Sequence, residues 1–146
     1  MDDPGRTAAF LNERDLFCRA CGIRLLKAEP GYAEAELCVT EKSLNANQVV
    51  QGGAIFTLAD FCFAGAANAG RFDDGAACVS RHCDIVFLRP GTGKTLRAVA
   101  RAVRDGSRSA LYRVEIFDEK ERLVAYCLCD GTVTGNAVYK EDPKDG

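Results

Sequence analysis

The chain is short of the side chain that most often moves protons. Among 146 residues there is one histidine, His82. It lies in a strand-like segment, so a partly buried structural role is expected there rather than general-base work. No G-x-S-x-G run occurs, which leaves a serine hydrolase unsupported. There is no basic run and no interleaving of aromatic with basic residues, and the net charge is −2, so no nucleic-acid partner is expected. The first residues, Met1, Asp2, Asp3 and Pro4, are acidic and open no apolar signal core; the expected location is the cytoplasm. No membrane span is expected either. The longest stretch nearly free of charge, Val49 to Gly70, carries Asp60 and four glycines and lacks flanking cationic anchors. Repeats and linkers are absent, and 146 residues suit a single domain, with a core over about 15–135 and a charged tail over about 138–146.

Cysteine, by contrast, is abundant, with eight in the chain. Without a secretion signal these thiols are expected to stay reduced. Cys38, Cys62, Cys83, Cys127 and Cys129 fall inside apolar-patterned segments and read as small core residues. Cys18 and Cys21 form a C-x-x-C, but no second such pair follows, so it reads as incidental placement and not as a zinc site.

Periodicity gives the order of elements. Phe10, Leu11, Leu16 and Phe17 recur at helical spacing and predict one short amphipathic helix over about Arg6–Ala20. Strands are expected at Gly22–Glu29 and Tyr32–Val39, the second alternating Ala33, Ala35, Leu37 and Val39 against Glu34 and Glu36. Thr40–Gln51 is polar and reads as a loop. Gly53 to about Ala69 is apolar nearly all round and predicts a buried helix, long enough at about 25 Å to lie across a sheet. Four strands follow: Ala77–Leu88, Thr95–Arg104, Ser109–Phe117 and Leu123–Thr134, with Asp105-Gly106 as a hairpin turn. This order predicts an α+β fold in which an antiparallel sheet wraps around one long central helix.

The buried helix carries the chemistry. Asp60 is the one acid in its apolar run, and a lone carboxylate removed from water costs several kcal/mol unless it is paired or used. The helix begins at Gln51, Gly52 and Gly53, where a Ser, Thr or Asp would normally cap the first amides. Open amides beside glycine can hold a developing oxyanion; a loop that needs glycine for its backbone angles is the competing explanation. Gly52 and Asp60 are about 12 Å apart along one helix, too far for one carbonyl to meet both. If they share a site, a second copy of the chain must supply the other half, in a two-fold dimer with two equivalent sites.

The run LNANQVVQGGAIFTLADFCFAGAANAG, followed by DIVFLRPG, resembles the hotdog-fold acyl-CoA thioesterases, in particular their phenylacetyl-CoA (PaaI-like) branch. The resemblance spans roughly residues 15–135. It implies a hotdog fold, hydrolysis of an acyl-CoA thioester, no cofactor other than the coenzyme A of the substrate, and assembly as a dimer or a dimer of dimers. It also implies roles. Asn45 matches the loop asparagine that contacts the thioester or the attacking water. Gly52 matches the residue whose N–H polarises the carbonyl, with Gly53 beside it. Asp60 matches the carboxylate that activates or orients water, or attacks directly, across the dimer interface. Ser80 falls where some members bind water, and Arg89 and the loop to Lys94 fall where the nucleotide end of coenzyme A passes. Phe56, Phe61 and Phe63 suit an aromatic or medium-chain acyl group. One departure stands out: the family usually has histidine before the glycine pair, and this chain has Gln51, which donates a hydrogen bond but does not titrate. That departure leaves a non-catalytic acyl-CoA binding or regulatory module as the alternative.

Overall fold

Alternation with small residues builds the first half of the sheet. The computed structural model describes residues 4–135, so the expected charged tail lies outside the described residues. Strand β1 (Ile23–Glu29) pairs antiparallel with β2 (Tyr32–Cys38), and β2 with β4 (Thr95–Asp105). Ala33, Ala35, Leu37, Leu96, Ala98 and Ala100 all turn inward and are fully buried. With β5 (Ser109–Phe117), β6 (Leu123–Gly135) and β3 (Ala76–Phe87), the strands form one six-stranded antiparallel sheet in the order β1-β2-β4-β5-β6-β3. Its two edges are β1 and β3.

The long helix, labelled α3 (Gly52–Asn68), covers the inner face and touches all six strands. Small residues permit the close approach. A methyl group at Gly65 would come within 2.6 Å of the Leu25 side chain, and one at Gly131 on β6 within 2.7 Å of the Phe63 ring. The α+β architecture is therefore the expected one, with the sheet around α3. No helix among the described residues is long and apolar enough to cross a membrane.

Three details differ from expectation. The N-terminal helix is two pieces, α1 (Pro4–Arg14) and α2 (Leu16–Ala20), because Asp15 breaks the run and caps the second piece through the Cys18 amide at 3.0 Å. Cys38 is exposed, since it ends β2 on the outward side, although the other thiols placed in the core are buried or half-buried. His82 is also exposed, 3.2 Å from Asp84.

A bulge in β3 sets which of its side chains face the helix. Ser80 pairs with Gly131 and His82 with Asp130, which leaves Arg81 as an extra residue. One extra residue reverses the parity of a strand. Cys78 and Ser80 before the bulge, and Cys83, Ile85 and Phe87 after it, thus share the helix side.

Candidate active site

The start of α3 is held by its neighbours through the main chain. The Gln51 N–H donates to Ser43 O at 2.8 Å, and the Val50 N–H to Gly91 O at 2.9 Å. Gln51 is the N-cap: its side-chain oxygen folds back to accept the Gly53 N–H. Its main-chain oxygen accepts from Ala54 and Ile55. The helix start is therefore capped after all, by a residue type seldom used for it, because glutamine reaches back over the side-chain-free Gly52 and Gly53. Gly53 has no N–H left for a substrate. The Gly52 N–H is the exception; it has no acceptor among the described residues.

That amide opens into a groove of about 350 Å³ lined by Asn45, Val50, Ile55, Phe87, Arg89 and Gly91, among others. The Phe87 ring lies over Gly52, 3.3 Å from where a β-carbon would stand. Asn45 is positioned by an Asx turn: its side-chain oxygen accepts from Asn47 N at 2.9 Å and Val49 N at 3.3 Å. Only its Nδ2 can face a ligand, and only as a donor. The same holds for Gln51, whose oxygen is taken. Arg89 is exposed at the rim. Lys94 does not line this groove. It is exposed, and its N–H donates to Glu119 Oε1 at 2.7 Å.

Asp60 lies two turns further along and opens into a second groove, of about 310 Å³, lined by Phe17, Cys18, Phe56, Thr57 and Phe61 among others. It is half-buried, not sealed in the core, and the Ser80 hydroxyl donates to its Oδ1. The structure so brings together two residues 20 apart in sequence that were assigned to one site. Phe56 (36% exposed) and Phe61 line the groove, but Phe63 does not. Its ring is fully buried and meets Tyr112 edge-on at 5.5 Å, so it belongs to the core and not to an acyl pocket. Burial, then the carboxylate of Asp15, pushes the Cys18 thiol well above its usual range, which removes it as a nucleophile.

Within one chain the predicted residues thus fall into two groups, Asn45, Gln51, Gly52 and Arg89 at one end of α3, and Asp60 with Ser80 further along. Phe87 over Gly52 was missed as a site residue; its signal was an apolar side chain next to Leu88-Arg89-Pro90-Gly91, a segment otherwise reading as a turn.

Residues 47–125, which hold the free amide, Asp60 and Ser80, match the family model described as the thioesterase superfamily. The chain belongs to that superfamily. Acyl-coenzyme A thioesterase PaaI of Escherichia coli is 36% identical over 138 residues, covering 90% of this chain and 96% of that protein. The solved structure of the E. coli PaaI protein from the phenylacetic acid degradation operon superposes with a TM-score of 0.82 at 33% identity, over 90% of this chain and 94% of the other. A Streptococcus mutans protein solved with acetyl-CoA bound is similar at a TM-score of 0.69 and 27% identity, over 78% and 90% of the two chains. The architecture of this PaaI-like thioesterase family member is the hotdog fold.

Proposed function

We propose that this protein hydrolyses acyl-CoA thioesters, with aromatic or medium-chain acyl groups, at a site completed by a second copy of the chain. The carrying observation is the pair of open groups on one helix: the unpaired Gly52 N–H, and the half-buried Asp60 held by Ser80. In this reading Gly52 donates to the thioester oxygen, where charge develops during attack. Asn45 Nδ2 and Gln51 Nε2 add donors nearby. Asp60 takes a proton from water as the water oxygen bonds to the carbonyl carbon; the C–S bond then breaks and coenzyme A leaves as a thiolate, which needs little help from a general acid. No cofactor enters these steps. Phe56 and Phe61 face the acyl group, and Arg89 the phosphates of the nucleotide.

Strand β3 supports the two-copy site. It is an edge strand, its outer side unpaired among the described residues, and Val79, Val86, Phe87 and Leu88 on or just beyond it are 40–51% exposed. Such an edge invites pairing with a second copy. Antiparallel pairing about a two-fold axis near Cys83 and Asp84 sets Ser80 of one chain opposite Phe87 of the partner subunit. Ser80 holds Asp60 and Phe87 covers Gly52, so each carboxylate would meet the other chain's free amide.

The test is thiol release from a panel of acyl-CoAs by the wild type and Asp60→Asn, with the assembly sized in parallel. The expected result is a dimer or larger assembly whose turnover falls by about 100-fold or more in the variant. A loss below about tenfold counts against Asp60 as the catalytic carboxylate. Tight acyl-CoA binding by the wild type without thiol release would favour the non-catalytic module that Gln51 first suggested.

A further inference from the structure

Three thiols that hydrolysis does not use meet behind Asp60. Cys127 and Cys129 are two apart on β6 and so point to one face. Cys83 is the cross-strand neighbour of Cys129. The three sulfurs all lie within 4.8 Å of one another, and Cys127 Sγ is 3.4 Å from Cys129 Sγ. Cys127 and Cys129 are buried, whereas Cys83, on the edge strand, is half-buried within the single chain.

We propose that Cys83, Cys127 and Cys129 form a three-sulfur binding site for a soft, three-coordinate thiophilic centre, and that trivalent arsenic, presented as arsenous acid, is the ligand it fits. The donor set is sulfur alone, which selects soft ions. Trivalent arsenic carries a lone pair and is pyramidal, so three sulfurs about 2.3 Å from it stand about 3.5 Å apart; Cys127 and Cys129 already have this spacing at 3.4 Å, and Cys83 is within 4.8 Å of both. A structural zinc would need a fourth ligand, and among the described residues no histidine nitrogen or carboxylate oxygen joins the cluster.

Charge decides among the soft candidates. The carboxylates acting on Cys127 are Asp60 and Asp84, and Asp60 also acts on Cys83. Three thiolates leave a divalent metal with one net negative charge and a monovalent one with two. Either is costly in an apolar place beside acids. Trivalent arsenic gives a neutral product. Arsenous acid and three thiols yield the tris-thiolate and three waters: three As–O and three S–H bonds break, three As–S bonds form, and each thiol proton leaves with a hydroxyl. Arsenic stays trivalent, so no oxidant or reductant is needed.

The experiment uses the full chain carrying Cys18→Ser and Cys21→Ser, because that C-x-x-C pair can itself bind arsenic. Sodium arsenite is added to the reduced protein under non-thiol reductant, and arsenic is followed by native mass spectrometry and X-ray absorption. One arsenic per chain with three sulfur neighbours and no oxygen is expected, together with a raised melting temperature. Cys83→Ser, at the least buried of the three positions, should weaken retention by about tenfold or more and put oxygen in place of one sulfur. The proposal is overturned if no arsenic is retained, if the three-sulfur signal survives Cys83→Ser, or if Zn²⁺ or Cu(I) displaces arsenic from these sulfurs. Should Cys83→Ser fail to fold, the melting shift and the absorption spectrum of the parent chain still decide.

Discussion

The two ends of α3 are finished differently. At its C-terminal end all four carbonyls that a helix leaves open are paired. Gly65 O accepts from Ala69 N at 3.2 Å and Asn68 O from Arg71 N at 2.9 Å. Ala66 O accepts from the Tyr112 hydroxyl at 3.4 Å and Ala67 O from Arg71 Nε at 2.7 Å. Asn68 itself is buried and engaged on both sides, donating to Ala64 O and Cys78 O and accepting the Cys78 N–H at 2.7 Å. At the N-terminal end one of the four amides, Gly52, stays open. Asp60, the one charged group on the helix, has one neutral partner and access to a groove. Full pairing marks the end that holds the fold together; a polar group left available marks the end where a ligand can do what the protein has not done for itself.

The sharpest way to break this contrast is Gly52→Pro. Gly52 is the first helical residue, where proline is well tolerated, and Gln51 before it already has φ −64° and ψ 136°, the conformation that a following proline requires. The substitution removes the one free N–H and leaves the capped ones in place. Phe87 is half exposed and can turn aside from the new ring. Turnover should fall by about 10²–10³-fold with the melting temperature nearly unchanged. Gly52→Ala, which keeps the N–H, should retain most activity. Equal losses in the two variants would mean that space, not the amide, is what matters there.

The opposite end should respond in the opposite currency. Asn68→Ala strips the Cys78 main-chain groups of their partner inside the core, at a cost of about 1–3 kcal/mol. Denaturant unfolding should show that loss, while the turnover of the remaining folded protein stays at the wild-type level. A selective fall in turnover with unchanged stability would erase the distinction between the two ends.

Much of this was legible in the sequence, and the exceptions have physical causes. The strands follow from period-two alternation, as in Ala33, Ala35 and Leu37, and α3 from an apolar run that admits only one carboxylate. Asp60 and Ser80 could be named but not joined, since their contact depends on where β3 crosses the helix. The break at Asp15 had a readable signal, an N-cap residue directly before Leu16, outweighed by the helical spacing on either side. Gln51 was misjudged because capping preference describes short side chains, whereas this longer one folds back over two glycines. The meeting of Cys83 with Cys127 and Cys129 rests on the bulge at Arg81, without which Cys83 would register against Leu128 instead; no local pattern announces that extra residue.

The smallest expected effect belongs to Ser80→Ala. Ser80 does not reach the amide end; it acts through Asp60, by fixing one oxygen of a carboxylate that lines the groove. A hydrogen bond to a charged group is worth about 1.5–3 kcal/mol, part of which water restores in an open groove, so turnover should drop by about tenfold. The loss should fall on kcat rather than KM, because the hydroxyl positions the base and not the acyl group. Ser80→Thr, which keeps the hydroxyl, should recover much of it. If Ser80→Ala instead matches Asp60→Asn, the hydroxyl itself must hold the attacking water, and the open end of α3 would have a second reacting partner on β3.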